Sequence, residues 1–185
     1  MPPLLLPRTQ ADPPPAQSPP PAATPSPTPA PSVPPCGTGA GSRPACAVYG
    51  AALGTGWSIE SAGVKVVPAG VVPGTDQVAL RVEPKEKTAF VALVATAAVT
   101  ATTLRFRVYG GRVHGTVLRV TVAETAGRPA AAPVVLTAPV DVWTAFELDL
   151  AELLPGRALR RIDLVIATDM VPNAYRFFVD DVQLS

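Results

Sequence analysis

The sequence has few of the residues from which catalytic and metal centres are usually built. Its 185 residues include two cysteines and one histidine, His114, which are too few to complete a structural zinc site. His114 lies in the turn-like segment GRVHGT, with no nucleophile pattern around it. Glu147 and Asp149 share one face of a predicted strand, whereas glycosidases hold their carboxylates on opposite sides of a cleft. The sequence therefore predicts a protein that is not an enzyme.

The sequence also lacks an excess of charge and any long hydrophobic run. Its formal net charge is +1, and residues 45–185 contain 13 basic and 13 acidic side chains. A neutral domain has no long-range field to attract nucleic acid or anionic lipid. The longest apolar candidate, Ala89–Thr102, is interrupted by threonines and is too short to span a membrane. We expect no nucleic-acid partner, no membrane span and a monomeric protein.

Aromatic residues are scarce, at 5% of the sequence, and all of them lie from Tyr49 onward. By contrast, 16 of the 24 prolines lie in Met1–Pro44. The stretch ADPPPAQSPPPAATPSPTPAPSVPP, which spans Ala11–Pro35, has no hydrophobic periodicity and should form an extended spacer. Residues 1–44 are therefore predicted to be a disordered Pro/Ala/Ser/Thr-rich linker. Residues 45–185 are predicted to be one folded module of ordinary domain size.

The two cysteines, Cys36 and Cys46, bracket the glycine-rich segment GTGAGSRPA where the linker meets the module. This spacing would let them close a disulfide, and the alternative is a pair of exposed free thiols. A disulfide implies an oxidising compartment, and Pro/Thr/Ser spacers commonly join modules of secreted bacterial proteins. Because Met1–Leu6 lacks the basic residues and the length of an export signal, either the protein is cytoplasmic or its true start lies upstream. We favour the second alternative and expect a secreted or cell-envelope protein.

From Val64 onward, short β-rich segments alternate with glycine, proline and small polar residues. The pattern predicts strands at Val64–Val67, Val78–Val82, Ala89–Ala95, Thr103–Tyr109, Thr116–Glu124, Pro133–Leu136, Thr144–Leu150, Arg161–Thr168 and Tyr175–Leu184. Only Ala151–Leu154 has a helical pattern, and it is one turn long. Many short strands without helical crossovers are typical of an antiparallel β-sandwich.

The segments LRFRVY and VLRVTV each alternate between side chains that face a core and side chains that face outward. We expect these two strands to pair as a hairpin across Gly110–Gly115, which would bring Arg107 close to Arg119. The outward-facing residues predicted to form a ligand-binding surface are Arg105, Arg107, Tyr109 and Arg119. Guanidinium groups on this surface could hold an acidic sugar or a carboxylate partner through bidentate hydrogen bonds. The alternative is a solvated sheet face balanced by Glu124 and other acidic residues.

The last predicted strand, FFVDDVQL, changes its alternation at Asp180–Asp181. Phe177 and Val179 follow one phase, whereas Val182 and Leu184 follow the other. An extra residue in a β-bulge produces such a shift. A bulge would also let both carboxylates leave the core, where an unpaired carboxylate would be costly.

Five segments of the module share their order and spacing with a known group of domains. They are VYGAALGTGW (Val48–Trp57), VVPGTDQVALRV (Val71–Val82), LRFRVYGG (Leu104–Gly111), VWTAFELDLAEL (Val142–Leu153) and FFVDDVQL (Phe177–Leu184). Together they resemble the galactose-binding-like jelly-roll modules of bacterial secreted polysaccharide-active proteins, over Val48–Ser185. The resemblance implies a jelly-roll β-sandwich that binds carbohydrate without catalysis, with a polysaccharide or cell-wall glycan as partner.

The resemblance also implies site residues. Such modules often hold a structural calcium with an acidic residue of the last strand, a position that Asp181 or Asp180 occupies in this sequence. They often bind sugars on flat aromatic rings, and Trp57 and Trp143 are candidates, although core packing is the favoured role for both. Arg107 stands where an aromatic residue is common. The alternative function is a structural or protein-interaction sandwich that has lost its sugar site.

Overall fold

The computed structural model describes residues 46–125, 131–168 and 175–185, which contain eleven strands and one short helix. In chain order these are β1 (Cys46–Tyr49), β2 (Trp57–Ala62), β3 (Val64–Val71), β4 (Val78–Pro84), β5 (Phe90–Val99), β6 (Thr103–Tyr109), β7 (Thr116–Ala123), β8 (Val134–Ala138), β9 (Trp143–Asp149), α1 (Leu150–Leu153), β10 (Leu159–Ile166) and β11 (Phe177–Leu184). The predicted linker of residues 1–44, including Cys36, lies outside the described residues.

The strands form two antiparallel sheets that enclose one core. The front sheet has the strand order β3-β4-β11-β6-β9, and β1 also pairs with β11. The back sheet has the order β2-β5-β10-β7-β8. This arrangement confirms the predicted all-β antiparallel β-sandwich.

The core lies between the sheets because each strand turns alternate apolar side chains toward the opposite sheet. Leu104 and Val108 of β6 belong to the same buried cluster as Leu118 and Val120 of β7. Trp57, which is 7% exposed, also belongs to this cluster, so its predicted role in core packing is confirmed.

All the predicted strands are present, with shifts of a few residues at their ends, but β1 and β2 were not predicted. The sequence of β2, WSIESA, contains only two large apolar side chains, and it forms an edge of the back sheet. Ser58 and Glu60 of β2 are exposed. A half-polar edge strand of this kind gives little hydrophobic alternation from which to predict it.

The helix α1 follows β9 directly and is one turn long, one residue earlier than predicted. Asp149 caps it, because its Oδ1 accepts a hydrogen bond from the backbone nitrogen of Ala151 at 2.7 Å. Among the described residues, no helix is long and apolar enough to cross a membrane.

The predicted hairpin between β6 and β7 is wrong. β6 pairs with β9 and β11 in the front sheet, whereas β7 pairs with β8 and β10 in the back sheet. Both strands turn apolar residues toward the shared core, so the alternation was interpreted correctly, but alternation does not specify the hydrogen-bonded partner. Gly110–Gly115 is therefore a crossover between sheets. Arg119 faces outward on the back sheet, away from Arg107 on the front sheet.

Candidate ligand-binding site

The candidate site is the outer face of the front sheet, called the front face below. Three strands that lie side by side, β11, β6 and β9, contribute its central side chains. Along β6 and β9 the register pairs Arg105 with Glu147, Arg107 with Ala145, and Tyr109 with Trp143. On the other side of β6, Asp180 of β11 lies opposite Arg107, and Gln183 lies opposite Arg105. The structure thus brings together three of the four predicted ligand-binding residues and leaves Arg119 on the other sheet.

Arg105 and Glu147 form a two-point ion pair across β6 and β9. Nε of Arg105 donates to Oε2 of Glu147 at 3.0 Å, and Nη2 donates to Oε1 at 3.3 Å. The two side chains are 60% and 58% exposed. Solvent screens a pair this exposed, so it contributes less than about 1 kcal/mol to stability. It places two hydrogen-bonding groups side by side on the front face.

Arg107 is held more firmly, because two carboxylates of β11 and one aromatic ring surround it. Nη2 of Arg107 donates to Oδ2 of Asp180 at 2.9 Å, and Nε lies 2.8 Å from Oδ2 of Asp181. Its Cζ lies 4.7 Å from the centroid of the Trp143 ring, which is cation–π distance. One guanidinium group therefore ties β6 to both β9 and β11.

The bulge predicted at Asp180–Asp181 is confirmed. The register between β11 and β6 shifts between Asp180 and Gln183, and Asp181 has a φ of 50°. Both carboxylates leave the core, as predicted. Asp180 is nevertheless only 4% exposed, because Arg107 and Gln77 cover it, and Nε2 of Gln77 donates to its Oδ2 at 2.9 Å. Asp181 stays half exposed.

Tyr109 and Trp143 belong to a small second cluster on the front face. With Val72, Ala79 and Phe178 they form an apolar group separate from the main core. The prediction that Trp143 packs in the core of the sandwich is therefore wrong. The register turns its side chain outward, where it packs against the second cluster. The Tyr109 hydroxyl donates to Oδ1 of Asp141. Burial raises the pKa of Tyr109, and the hydrogen bond to Asp141 raises it further. Tyr109 is thus committed to internal contacts and presents no free ring.

A groove of about 380 Å³ lies on the front face beside these ion pairs. Its polar lining consists of Arg105, Arg107, Glu147, Asp181 and Gln183. Ala145 also lines the groove, and its small side chain lies opposite Arg107, which leaves room above β9 at this point. The groove is therefore an open depression with hydrogen-bonding groups in its walls.

Acidic residues balance the arginines of the front face, as in the alternative interpretation of the sequence, although the balancing residues do not include Glu124. Two guanidinium groups, from Arg105 and Arg107, contact the three carboxylates of Glu147, Asp180 and Asp181. The sequence pattern grouped Glu147 with Asp149 on one strand and did not pair it with Arg105. The pairing follows from the β6–β9 register, which joins segments about 40 residues apart and which alternation does not reveal.

The aspartate pair is a poor fit for the expected calcium. Calcium takes several oxygen ligands, but the described residues contain no group of three or more acidic, histidine or cysteine side chains that could hold a metal ion. The guanidinium of Arg107 already lies between Asp180 and Asp181. Calcium at these residues stays a prediction that the geometry disfavours. We expect equal melting temperatures in calcium and in chelator. A rise with calcium that Asp181→Ala abolishes would instead establish the site.

The raised pKa of Asp181 predicts how the stability of the domain depends on pH. Burial raises the pKa of Asp181 and the carboxylate of Asp180 raises it further, whereas Arg107 lowers it. A raised pKa means that the folded state binds this proton more tightly than the unfolded state does. Stability therefore falls as pH rises from about 4 through the raised pKa. Asn tolerates a positive φ, so Asp181→Asn should be more stable than wild type at neutral pH.

The test is urea unfolding of both proteins at neutral pH and below about pH 4. The advantage of Asp181→Asn should shrink at acid pH, where the wild-type carboxyl group is protonated in both states. A variant that is less stable than wild type at neutral pH would show that the ion pair with Arg107 outweighs burial and the repulsion from Asp180.

The predicted disulfide involves one described residue. Cys46 is disulfide-bonded, and the sequence contains one other cysteine, Cys36. Because Cys36 lies outside the described residues, the pairing of the two stays a prediction.

Comparison with known proteins identifies solved structures that share the fold. No family model and no curated protein matches the sequence, but solved carbohydrate-binding modules of family 29 match the structure. A variant of the module CBM29-2 superposes with a TM-score of 0.55 and 18% identity, covering 77% of this chain and 92% of that chain. A variant complexed with cellulohexaose gives a TM-score of 0.52 and 18% identity, covering 76% and 89%. A variant complexed with mannohexaose gives a TM-score of 0.52 and 19% identity, covering 74% of this chain and 86% of that chain. The chain therefore has the jelly-roll β-sandwich fold of carbohydrate-binding modules.

Proposed function

We propose that this protein is a non-catalytic carbohydrate-binding module and that it binds a polysaccharide chain in the front-face groove. The observation that carries the proposal is the row of paired polar side chains along that groove. Proteins of the same fold have been solved with cellulohexaose and mannohexaose, which supports a linear glycan as the ligand. The groove is open, so the interior of a long chain can lie in it.

Pairing prepares the polar groups for binding. A free arginine or glutamate side chain loses about 0.5–1.5 kcal/mol of conformational freedom when a ligand immobilises it. Arg105 and Glu147 already restrain each other, and Asp180 and Asp181 restrain Arg107. Sugar hydroxyls can both donate and accept hydrogen bonds, so they suit a lining that alternates guanidinium, carboxylate and amide groups.

The charge of the groove favours a neutral glycan. The groove lining carries two guanidinium groups and two carboxylates in ion pairs, so it offers no unpaired positive charge to attract a uronate chain. Stacking contributes little, because Arg107 covers one face of Trp143 and Tyr109 is 6% exposed. This proposal replaces the expected preference for acidic sugars, which assumed unpaired arginines.

The experiment is calorimetric titration of the full chain with cellohexaose, mannohexaose and a uronate oligosaccharide of equal length. We expect the neutral ligands to bind, and Glu147→Ala to weaken that binding about tenfold by removing a hydrogen-bond acceptor and freeing Arg105. The matched control is Arg119→Ala, which removes an exposed arginine from the back sheet. This variant should bind like wild type. Binding to none of the sugars would favour the protein-interaction alternative.

We also propose a secreted or cell-envelope location. The disulfide at Cys46 supports it, because disulfides persist in oxidising compartments. Secretion would place the module where polysaccharides are accessible. The test is fractionation of the source cells with an antibody to the module. Protein found only in the cytoplasm would contradict the location without affecting the glycan titrations.

A further inference from the structure

A second cavity lies at one end of the sandwich, on the far side of Tyr109 from Arg105. It has a volume of about 280 Å³ and is lined by Pro73, Tyr109, Arg112, Val113, Tyr175, Arg176 and Phe178. We propose that this end cleft is a separate binding site for a single carboxylated sugar ring. The inference extends glycan binding to a second site, and it rests on the proposed function only for the choice of a sugar over another small ring.

The end cleft differs from the groove in charge. Arg112 and Arg176 line it, and Asp141 is the nearby acidic group, with Oδ1 4.0 Å from Nε of Arg112. Asp141 also accepts the hydrogen bond of Tyr109. Within the described ranges, Arg176 has no acidic side chain at ion-pair distance, so its guanidinium is available to an incoming anion. A carboxylate suits the planar donors of arginine.

The walls of the end cleft are preformed. Gly111 has a φ of 90°, and a Cβ there would lie 2.4 Å from the carbonyl oxygen of Arg176, so the two backbone segments are in close contact. The backbone nitrogen of Asp141 donates to the oxygen of Gly111 at 2.7 Å. Asp141 itself has a φ of 58°, a strained conformation for a non-glycine residue. Little ordering of the backbone is therefore required when a ligand enters.

The size and the apolar walls indicate one ring rather than a chain. A volume of about 280 Å³ is at the lower limit for small-molecule pockets. Pro73 and Val113 form apolar walls, and Val113 is 64% exposed. Tyr109 and Phe178 lie at the base of the cleft and are almost fully buried. Such walls suit the C–H face of a sugar ring while the arginines take its carboxylate, as at the end of a uronate-terminated chain.

The experiment uses the full chain and three probes: glucuronate, glucose and acetate. Binding is followed by calorimetry and by NMR shifts of the aromatic ring signals. We expect saturable binding of glucuronate. Glucose and acetate should each bind at least tenfold more weakly, because glucose lacks the carboxylate and acetate lacks the sugar ring. Arg176→Gln should weaken glucuronate binding at least tenfold. Arg160→Gln, which removes an exposed arginine of β10, should leave it unchanged.

Two variants distinguish binding in the groove from binding in the end cleft. Glu147→Ala should weaken cellohexaose or mannohexaose binding and leave glucuronate binding intact, whereas Arg176→Gln should do the reverse. Equal affinities for glucuronate and acetate would mean that the cleft recognises any carboxylate, and they would overturn the sugar assignment. Equal affinities for glucuronate and glucose, or an Arg176→Gln variant that binds like wild type, would overturn the role of the arginines.

Discussion

Replacing Arg107 with methionine is expected to lower the free energy of unfolding by about 3 kcal/mol. The reason lies in Asp180, whose side chain is 6% exposed and whose Oδ2 accepts hydrogen bonds from Arg107 and Gln77. Removing the guanidinium leaves this carboxylate nearly buried with one neutral partner. Methionine fills similar space, so the loss reports on charge more than on packing. The cation–π contact with Trp143 is lost as well.

Urea unfolding measures the effect, and Arg105→Met is the matched control. It makes the same substitution two residues earlier on the same face of β6, but it breaks the exposed pair with Glu147. We expect that variant to lose less than about 1 kcal/mol. Adding Asp180→Asn to Arg107→Met should recover much of the stability, because the buried charge is then gone. Equal losses for the two arginine variants would refute the assignment of Asp180 as a buried charge.

Side-chain alternation in the sequence was enough to predict the sandwich. The segment LRFRVY gave the correct inward and outward residues of β6, and the phase change in FFVDDVQL gave the bulge of β11. Both predictions use local information, because a strand must alternate wherever one of its faces is buried. The partner of a strand is a non-local property. The assumption that β6 pairs with the next strand in sequence therefore failed, and it placed Arg119 on the wrong sheet.

The candidate site was only partly predictable for the same reason. Arg105 and Arg107 were identified as outward-facing, but their chemistry depends on Glu147 from β9 and on Asp180 and Asp181 from β11. Counting charges along one strand suggested a basic patch, whereas the three adjacent strands together form paired charges. The predicted preference for an anionic ligand assumed unpaired arginines on β6, and it stays a prediction. Our second proposal assigns it instead to Arg112 and Arg176 of the end cleft.

Replacing Gly110 with alanine is expected to destabilise the domain by about 3 kcal/mol. A Cβ at this position would lie 2.0 Å from the carbonyl oxygen of Pro139 and 2.5 Å from that of Ala138. Both atoms belong to the backbone, so no rotation of a side chain can relieve the overlap. The crossover from β6 to β7 would have to move away from the end of β8 and the residue that follows it. That shift would strain the hydrogen bond from Thr116 Oγ1 to the Gly110 oxygen, which is 3.0 Å long.

Gly50→Ala provides the control for Gly110→Ala. No atom lies within 4 Å of a Cβ built on Gly50, and its φ is not in the positive range. The same substitution there should change the free energy of unfolding by less than about 0.5 kcal/mol. Urea unfolding of both variants beside wild type makes the comparison. Because Gly110 adjoins the end cleft through Gly111, glucuronate binding should weaken in any Gly110→Ala protein that still folds. A Gly110→Ala variant as stable as Gly50→Ala would show that the two loops are not in contact at this point.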